Sequence, residues 1–425
     1  MKTTNQKIKN LLESGEVKTP AYFYDTESIK KQMQILSENQ PENFEIFYAM
    51  KGNSNPFIVE FFKNHGFGTE IASGGELFLA KKVGFLGENI IYTGPSKSDE
   101  ELKEAVEFGL KTIHIESVNE AVRLDSICKK LGKKQNILVR VNADFEVHTT
   151  STQLSGCASP FGITEEELFE ELPKIFELEN INFQGLHVYN ASGILDYKFL
   201  LQNVQNVFEM VNRIEEKFPN EKCEYIDFGG GLGIDYANNS ENSENCDVQS
   251  FYAGITEKVK KFGFENRKLI MEISRFLIAE SGTYVTKIRD IKHSRGTDFY
   301  ICDGGINHYM TTRHFARNHP ISVIKNENNS DILEKNYNKV FDKKFPVNIT
   351  GPLCTGIDYI AQSVEIEADI HDYVCIEKIG CYGLNASITH FLSHRMPVEV
   401  LIDGDDVKII RERGKREDLL LNINY

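Results

Sequence analysis

The chain lacks a surplus of positive charge. Its 48 Lys+Arg face 63 Asp+Glu over 425 residues, a formal net charge of -15. A nucleic-acid backbone or an anionic membrane surface is repelled on average by such a protein, so neither is an expected partner. Also missing is any apolar run of bilayer length, and Met1 to Lys18 is polar and helical in pattern, unlike a secretory signal. The cytoplasm is the expected compartment. Eight cysteines, at 128, 157, 223, 246, 302, 354, 375 and 381, form no CxxC pair and no regular framework. That scatter suits small reduced thiols in a core better than disulfides or zinc, and no metal site is expected. What is there is a globular composition, 40% hydrophobic and long enough for two domains.

Apolar runs recur along the first two thirds: Phe44 to Met50, Gly68 to Ala72, Asn89 to Thr93, Thr112 to Glu116, Ile137 to Val141, Phe183 to Val188, Tyr225 to Phe228 and Leu269 to Ile273. The early ones are separated by helical segments that stop on Gly66, Gly84, Gly109 and Gly132. Strand, helix, glycine, strand is the pattern of a parallel sheet, and eight such units predict a closed (β/α)8 barrel, a TIM-like α/β fold. Ser151 to Pro160 and Tyr236 to Asp247 read as loops inserted in the later units. After Arg275 the pattern becomes all-β, with strands at Tyr284 to Lys292, Asp298 to Cys302, Phe345 to Thr350, Gln362 to Ala368, Tyr373 to Ile379, Val398 to Ile402 and Val407 to Ile410. Asn326 to Asn338 is a polar loop. The expected organisation is a barrel over 27–280, with 1–26 and 281–425 forming a β-domain that takes in the early strand Ala21 to Tyr24.

In a barrel of this kind chemistry gathers where strands end. The residues at or just past those ends include Lys51, Glu70, Glu116, Asn142, His187, Gly229 and Glu272 with Arg275. A lysine leaving a strand and followed by Gly52-Asn53 either closes the strand at the surface or, when partly desolvated, serves as an amine nucleophile that forms a Schiff base with a carbonyl. The run Gly229-Gly230-Gly231 is either a tight turn or a phosphate cup of backbone N–H groups. It is not a dinucleotide fingerprint, which would need glycine at Ile234. Glu272 and Arg275 alone could be a simple salt bridge, His187 a core histidine, and Cys354 a small buried residue. Lysine, acid and phosphate cup together are what pyridoxal phosphate requires.

The segments FYAMKGN, GTEIASGGELFLA, LVRVN, HVYNASG, DFGGGLG, EISR, CDGG, GPLCTGID and GCYG, in this order over roughly residues 20 to 400, resemble the fold-type III decarboxylases, the ornithine and diaminopimelate decarboxylase family with its alanine racemase-like fold. The resemblance implies pyridoxal phosphate carried by Lys51, with Glu272 holding the pyridine nitrogen protonated and His187 stacked on the ring. It further implies Glu70 and Arg140 beside the lysine, and Ser192, Gly230, Gly231, Ser274, Arg275 and Tyr382 around the phosphate. Cys354 would protonate the product carbanion, and Cys354 and Tyr382 would come from the partner subunit of a head-to-tail homodimer. Asp303, Arg313, Thr355, Asp358 and Phe391 would face the substrate.

Departures from the family pattern bear on that substrate, a small amino-acid derivative. Thr355 stands where ornithine and diaminopimelate decarboxylases place an acid after the cysteine. Losing a partly buried carboxylate disfavours a free distal ammonium by on the order of a few kcal/mol. The arginine-proline pair that grips a distal carboxylate is replaced by the segment from Asn307 to Arg317, whose His308, Arg313, His314 and Arg317 form a positive cluster suited either to solvent and ion pairing or to a polyanionic acyl group. Ser274 replaces a usual glycine and crowds the phosphate cup. GPLCT, and HVY with the loop before Ser192, resemble the branch acting on acylated or carrier-bound amino acids. The expectation is therefore a decarboxylase of an N-acylated basic amino acid, with N-citrylornithine of a rhizoferrin-type siderophore pathway as the best single choice. Diaminopimelate decarboxylase, a decarboxylase of a carrier-bound amino acid and a non-catalytic pyridoxal phosphate carrier are the alternatives. Racemisation is disfavoured, because racemases of this fold pair the pyridine nitrogen with arginine rather than an acid.

Overall fold

Eight short parallel strands with apolar side chains close on themselves in the computed structural model, which describes residues 2–144, 157–190, 192–238, 244–310, 318–326 and 346–424. They are β1 Phe44–Ala49, β2 Gly68–Ile71, β3 Ile90–Tyr92, β4 Thr112–Ile115, β5 Gln135–Asn142, β6 Ile181–His187, β7 Tyr225–Asp227 and β8 Lys268–Ile273. Each pairs in parallel with the next, and β8 pairs with β1, so no edge is left open. Phe47, Ile91 and Ile270 pack as one apolar cluster of these strands.

The connecting helices begin and end where the residues demand. Ser98 caps Asp99–Phe108 through a reciprocal pair with Glu101, and Ser117 caps Val118–Leu131. Both helices stop at a left-handed glycine, Gly109 at φ 78° and Gly132 at φ 62°, a conformation that side chains with a Cβ resist. The barrel predicted from the sequence is the barrel observed.

Contacts divide the chain into two units, Met33–Ile234 with Glu244–Phe276, and Met1–Gln32 with Asp235–Ser243 and Leu277–Tyr425. The second is mostly sheet. Ala21–Asp25 pairs antiparallel with Gly282–Ser294 and parallel with Val398–Asp403. Ile8, Leu11 and Leu12 of the first helix, Lys2–Glu13, join Phe23, Val285 and Val400 in its core. Two details depart from expectation. The strand set at Gln362 to Ala368 runs at Tyr359–Val364, because Ile349 and Thr350 pair with Ala361 and Tyr359 and the register shifts on either side of Ile349. A further half-buried strand, Ile321–Ile324, pairs with Tyr373–Ile376 and is too short and too polar at its flanks to announce itself. The 151–156, 239–243 and 327–338 parts of the three expected loops, and Arg313 to Arg317 of the positive cluster, lie outside the described residues.

Candidate active site

Register assembles the site. Paired residues of neighbouring strands project to the same side, and Arg140 lies opposite His187, His187 opposite Asp227, and Ala49 opposite Glu70. Lys51 follows β1 in the 3-10 turn Met50–Gly52. The chain beyond it is held by the Tyr48 hydroxyl, which donates to Asn53 O at 2.8 Å, and by Asn55, which caps the helix Pro56–Asn64. Lys51 Nζ donates to both Glu70 oxygens, at 3.1 and 3.3 Å, stands 3.8 Å from Glu272 Oε2, and lies 5.8 Å from the Tyr189 ring centroid. Glu70 is fully buried and also accepts from the Thr93 hydroxyl. Arg140 donates to Glu116 Oε1 at 2.8 Å, and Gly162 N–H donates to the other oxygen at 2.7 Å.

Four ionisable groups lie side by side in the floor: His114, His187, Asp227 and Glu272, their donor atoms within 4.8 Å of one another. His187 Nε2 is 3.6 Å from Glu272 Oε1. Burial raises the Glu272 carboxyl well above the ordinary carboxylate range, and the negative charges of Glu70 and Asp227 add to it, against Lys51 and Arg140. Burial likewise pushes Asp227 up to about 8. It pushes both imidazoles well below 6.5, with the neighbouring cations Lys97, Arg140 and Lys51 acting in the same direction. Glu76, which accepts from Ala72 N–H at 2.7 Å, is raised to about 7 by burial and the charge of Glu70.

Beside this floor the chain makes a tight glycine turn. Gly229 at φ 63° and Gly231 at φ 131° follow β7, and a Cβ at Gly230 would sit 2.6 Å from Glu272 O. Ile194 N–H donates to Gly231 O and Gly233 N–H to Ile194 O, both at 2.8 Å, so the Ser192 segment is stitched to the glycine turn. Arg275 Nη2 reaches Ser192 Oγ at 3.5 Å, and Ser274 beside it is buried.

A pyridoxal ring fits this set. Both nitrogens of His187 and Oε1 of Glu272 are buried without a hydrogen bond, which leaves polar groups for a planar ring with a basic nitrogen to answer. The residues match a family model described as "Pyridoxal-dependent decarboxylase, pyridoxal binding domain" over residues 26–279. The chain belongs to this family. It is a pyridoxal phosphate-dependent amino-acid decarboxylase of the ornithine and diaminopimelate type.

Among its relatives is the L-glutamyl-[BtrI acyl-carrier protein] decarboxylase of Niallia circulans, 30% identical over 95% of this chain and 93% of the relative. Another is the 2-[(L-alanin-3-ylcarbamoyl)methyl]-2-hydroxybutanedioate decarboxylase of Staphylococcus aureus, 32% identical over 88% of this chain and 92% of the relative. The crystal structure of diaminopimelate decarboxylase from M. jannaschii superposes with a TM-score of 0.84 at 25% identity, covering 96% of this chain and 93% of that one. No helix among the described residues of this decarboxylase is long and apolar enough to cross a membrane.

The structure places the remaining sequence-predicted residues in the β-rich unit. Cys354 is exposed on a tight turn in which Thr355 N–H donates to Leu353 O at 2.8 Å. Asp358 is buried and accepts from Ile306 N–H at 2.8 Å and Leu353 N–H at 2.7 Å, tying two loops together. Asp303 accepts from the Thr19 hydroxyl at 2.7 Å, the Thr286 hydroxyl at 2.8 Å and Lys287 N–H at 2.9 Å. Tyr382 is half-buried at φ 56°, and Phe391 is exposed in the turn Phe391–Ser393. Arg313 lies outside the described residues. Sequence reasoning missed His114 and Asp227. Asp227 ends β7 just before the glycine run, a position that marks it. His114, inside an apolar strand, carries no such signal.

Proposed function

We propose that this decarboxylase acts on an N-acylated basic amino acid, with N-citrylornithine as the substrate, in the cytoplasm and within a siderophore pathway of the rhizoferrin type. The observation that carries the choice is the Cys354 loop. Its sequence Gly351 to Asp358 holds one acid, Asp358, and that carboxylate is bonded to two backbone N–H groups, while Thr355 offers a neutral hydroxyl. The one carboxylate of this loop is thus already engaged and Thr355 supplies no charge, so a free distal ammonium is poorly matched here, whereas an amide nitrogen needs no charged partner. The 32% identical staphylococcal relative, whose name describes an alanine joined through an amide to a hydroxybutanedioate, supports an acyl group rich in carboxylates. A carrier-bound amino acid is the second reading, favoured by the glutamyl carrier-protein relative.

Bound pyridoxal phosphate supplies an aldehyde for an amine and a ring that takes up the electrons released as carbon dioxide departs. The chain's residues do the rest. Lys51 presents its amine for attachment, and Glu70, 3.1 Å away, is placed to take the proton that the amine must lose. Glu272 would face the ring nitrogen and keep a proton there. His187 would cover one ring face, and Ser192, Gly230, Gly231 and Arg275 would hold the phosphate. Cys354 delivers the proton that replaces carbon dioxide, and as an exposed side chain it serves, with Tyr382, the site of the second subunit in a homodimer.

Carbon dioxide release from a panel of citrylornithine, ornithine, lysine and meso-diaminopimelate tests the reading. Citrylornithine is expected to exceed the free diamino acids in kcat/KM by at least about tenfold, the consequence of about 1.4 kcal/mol of differential recognition. Faster turnover of any free diamino acid overturns the substrate assignment.

A further inference from the structure

Two titratable side chains of the barrel floor have no task in the reaction as set out above, His114 and Asp227, both fully buried. The His114 ring packs against that of His187, with centroids 4.7 Å apart. Its Nδ1 is 3.8 Å from Glu272 Oε1, and its Nε2 is 3.8 Å from Asp227 Oδ2 and 3.3 Å from the Thr112 hydroxyl. His114 Nδ1, Asp227 Oδ2 and Glu272 Oε1 are all buried without a hydrogen bond. Orphaned buried polar atoms are rare in proteins, and here three face one another across one imidazole. The backbone beneath is fixed, because buried Lys97 donates to His114 O at 2.7 Å and pairs with Glu120 at 2.8 Å.

We propose, on the basis that Glu272 faces the cofactor's ring nitrogen, that His114 is a positioning residue which joins Asp227 to Glu272 in a buried proton relay. One proton moves through it at each end. Asp227 Oδ2–H gives its proton to His114 Nε2 while His114 Nδ1–H gives its own to Glu272 Oε1. Asp227 is left as carboxylate, Glu272 protonated and the imidazole neutral in its other tautomer, so net charge is conserved. The Thr112 hydroxyl accepts from Nε2 in the second tautomer and, being a rotor, turns its proton aside when Asp227 donates in the first, so it accommodates both. The separations of 3.8 Å lie about 1 Å beyond hydrogen-bond length, a contraction of the kind that accompanies loading of a site. The other charges facing the cluster are Lys51 from the β1 exit, Glu70 from β2, Lys97 from the loop after β3 and Arg140 from β5. A carboxylic acid buried beside a single imidazole thus sets how much negative charge Glu272 presents to the ring.

The test replaces His114 by Phe, which keeps a ring, by Asn, which restores a side-chain N–H, and Thr112 by Val. Each full-length variant is loaded with ring-labelled pyridoxal phosphate, and ring-nitrogen protonation is followed across pH by nitrogen NMR, alongside cofactor affinity. Loss of the N–H that supports ionised Glu272 weakens its charge, so in His114→Phe the ring is expected to lose its proton about one pH unit lower, and His114→Asn is expected to recover part of the shift. An unchanged midpoint in a folded His114→Phe overturns the relay. If that variant does not fold, Thr112→Val decides: a smaller shift of the same sign supports the relay, and none overturns it. Wild-type protein that binds no pyridoxal phosphate overturns the placement of Glu272 on the cofactor, and the relay with it.

Discussion

The barrel floor and the loops of the β-rich unit both bury acids, and they treat them in opposite ways. Buried Asp358 and half-buried Asp303 are surrounded by donors at 2.7 to 2.9 Å. Asp227 and Glu272 each keep a buried oxygen without a hydrogen bond, with imidazoles nearby and their carboxyls held above the ordinary range. A satisfied buried acid is a fastener, since removing it strands its partners. An unsatisfied oxygen of a buried acid costs free energy until a donor reaches it, and so marks where a partner has still to close in, be it a cofactor or a neighbouring imidazole. Composition and motif cannot separate the two kinds, but their surroundings do.

The sharpest break of this contrast comes at Lys51. Lys51→Ala is expected to abolish turnover, by on the order of ten-thousand-fold, and to remove the borohydride-trapped cofactor from the purified protein, while lowering the melting temperature of the cofactor-free protein because buried Glu70 loses its cation. Cys354→Ala is expected to slow carbon dioxide-coupled product formation about a hundredfold, with cofactor still bound. Mixed with Lys51→Ala, it should recover about a quarter of wild-type activity if random subunit exchange builds one intact site in every second dimer. No recovery after verified exchange would show that each subunit completes its own site.

The fastener side predicts stability, not chemistry. Asp358→Ala strands the N–H groups of Ile306 and Leu353 and is expected to destabilise the protein by about 2 to 4 kcal/mol, read as a lowered melting temperature. The same loss of melting temperature from Thr355→Ala would erase the distinction drawn between these two loop residues.

The smallest effect is one of pH. Asp227 has its folded value raised to about 8, and Glu272 is raised as well, so their contribution to stability is complete in acid and is lost as pH climbs through the folded values. The two histidines are depressed from 6.5, so they cost stability only as pH falls below that value. Between about 6.5 and 8 the raised acids Asp227 and Glu272, with Glu76 at about 7, dominate, and the melting temperature of cofactor-free protein should fall as pH rises. Asp227→Asn should flatten that slope. A flat wild-type profile would mean that the floor holds no extra protons.

The barrel was legible because its signal is local and repeated: apolar strand, capped helix, left-handed glycine. Lys51, Glu70, His187 and Glu272 were legible because strand ends converge, and Arg140 through the family resemblance; the structure pairs Lys51 with Glu70 and Glu272, sets His187 beside Glu272, and places Arg140 opposite His187. The β-rich unit was less so. Ile321–Ile324 is paired only through a partner some fifty residues onward, and no window of sequence contains that partner. His114 was invisible for a related reason. Its neighbours Asp227 and Glu272 come from strands far along the chain, and only the closure of the barrel makes them neighbours.

The stitching of Ser192 to Ile194 onto the glycine turn has a kinetic consequence. Backbone bonds hold that end of the cavity in shape before any cofactor arrives, whereas the Lys51 amine must first leave its carboxylate partner. Uptake should accordingly proceed in two phases, a fast docking of the charged tail that inorganic phosphate inhibits, followed by a slower capture at the opposite end that it does not.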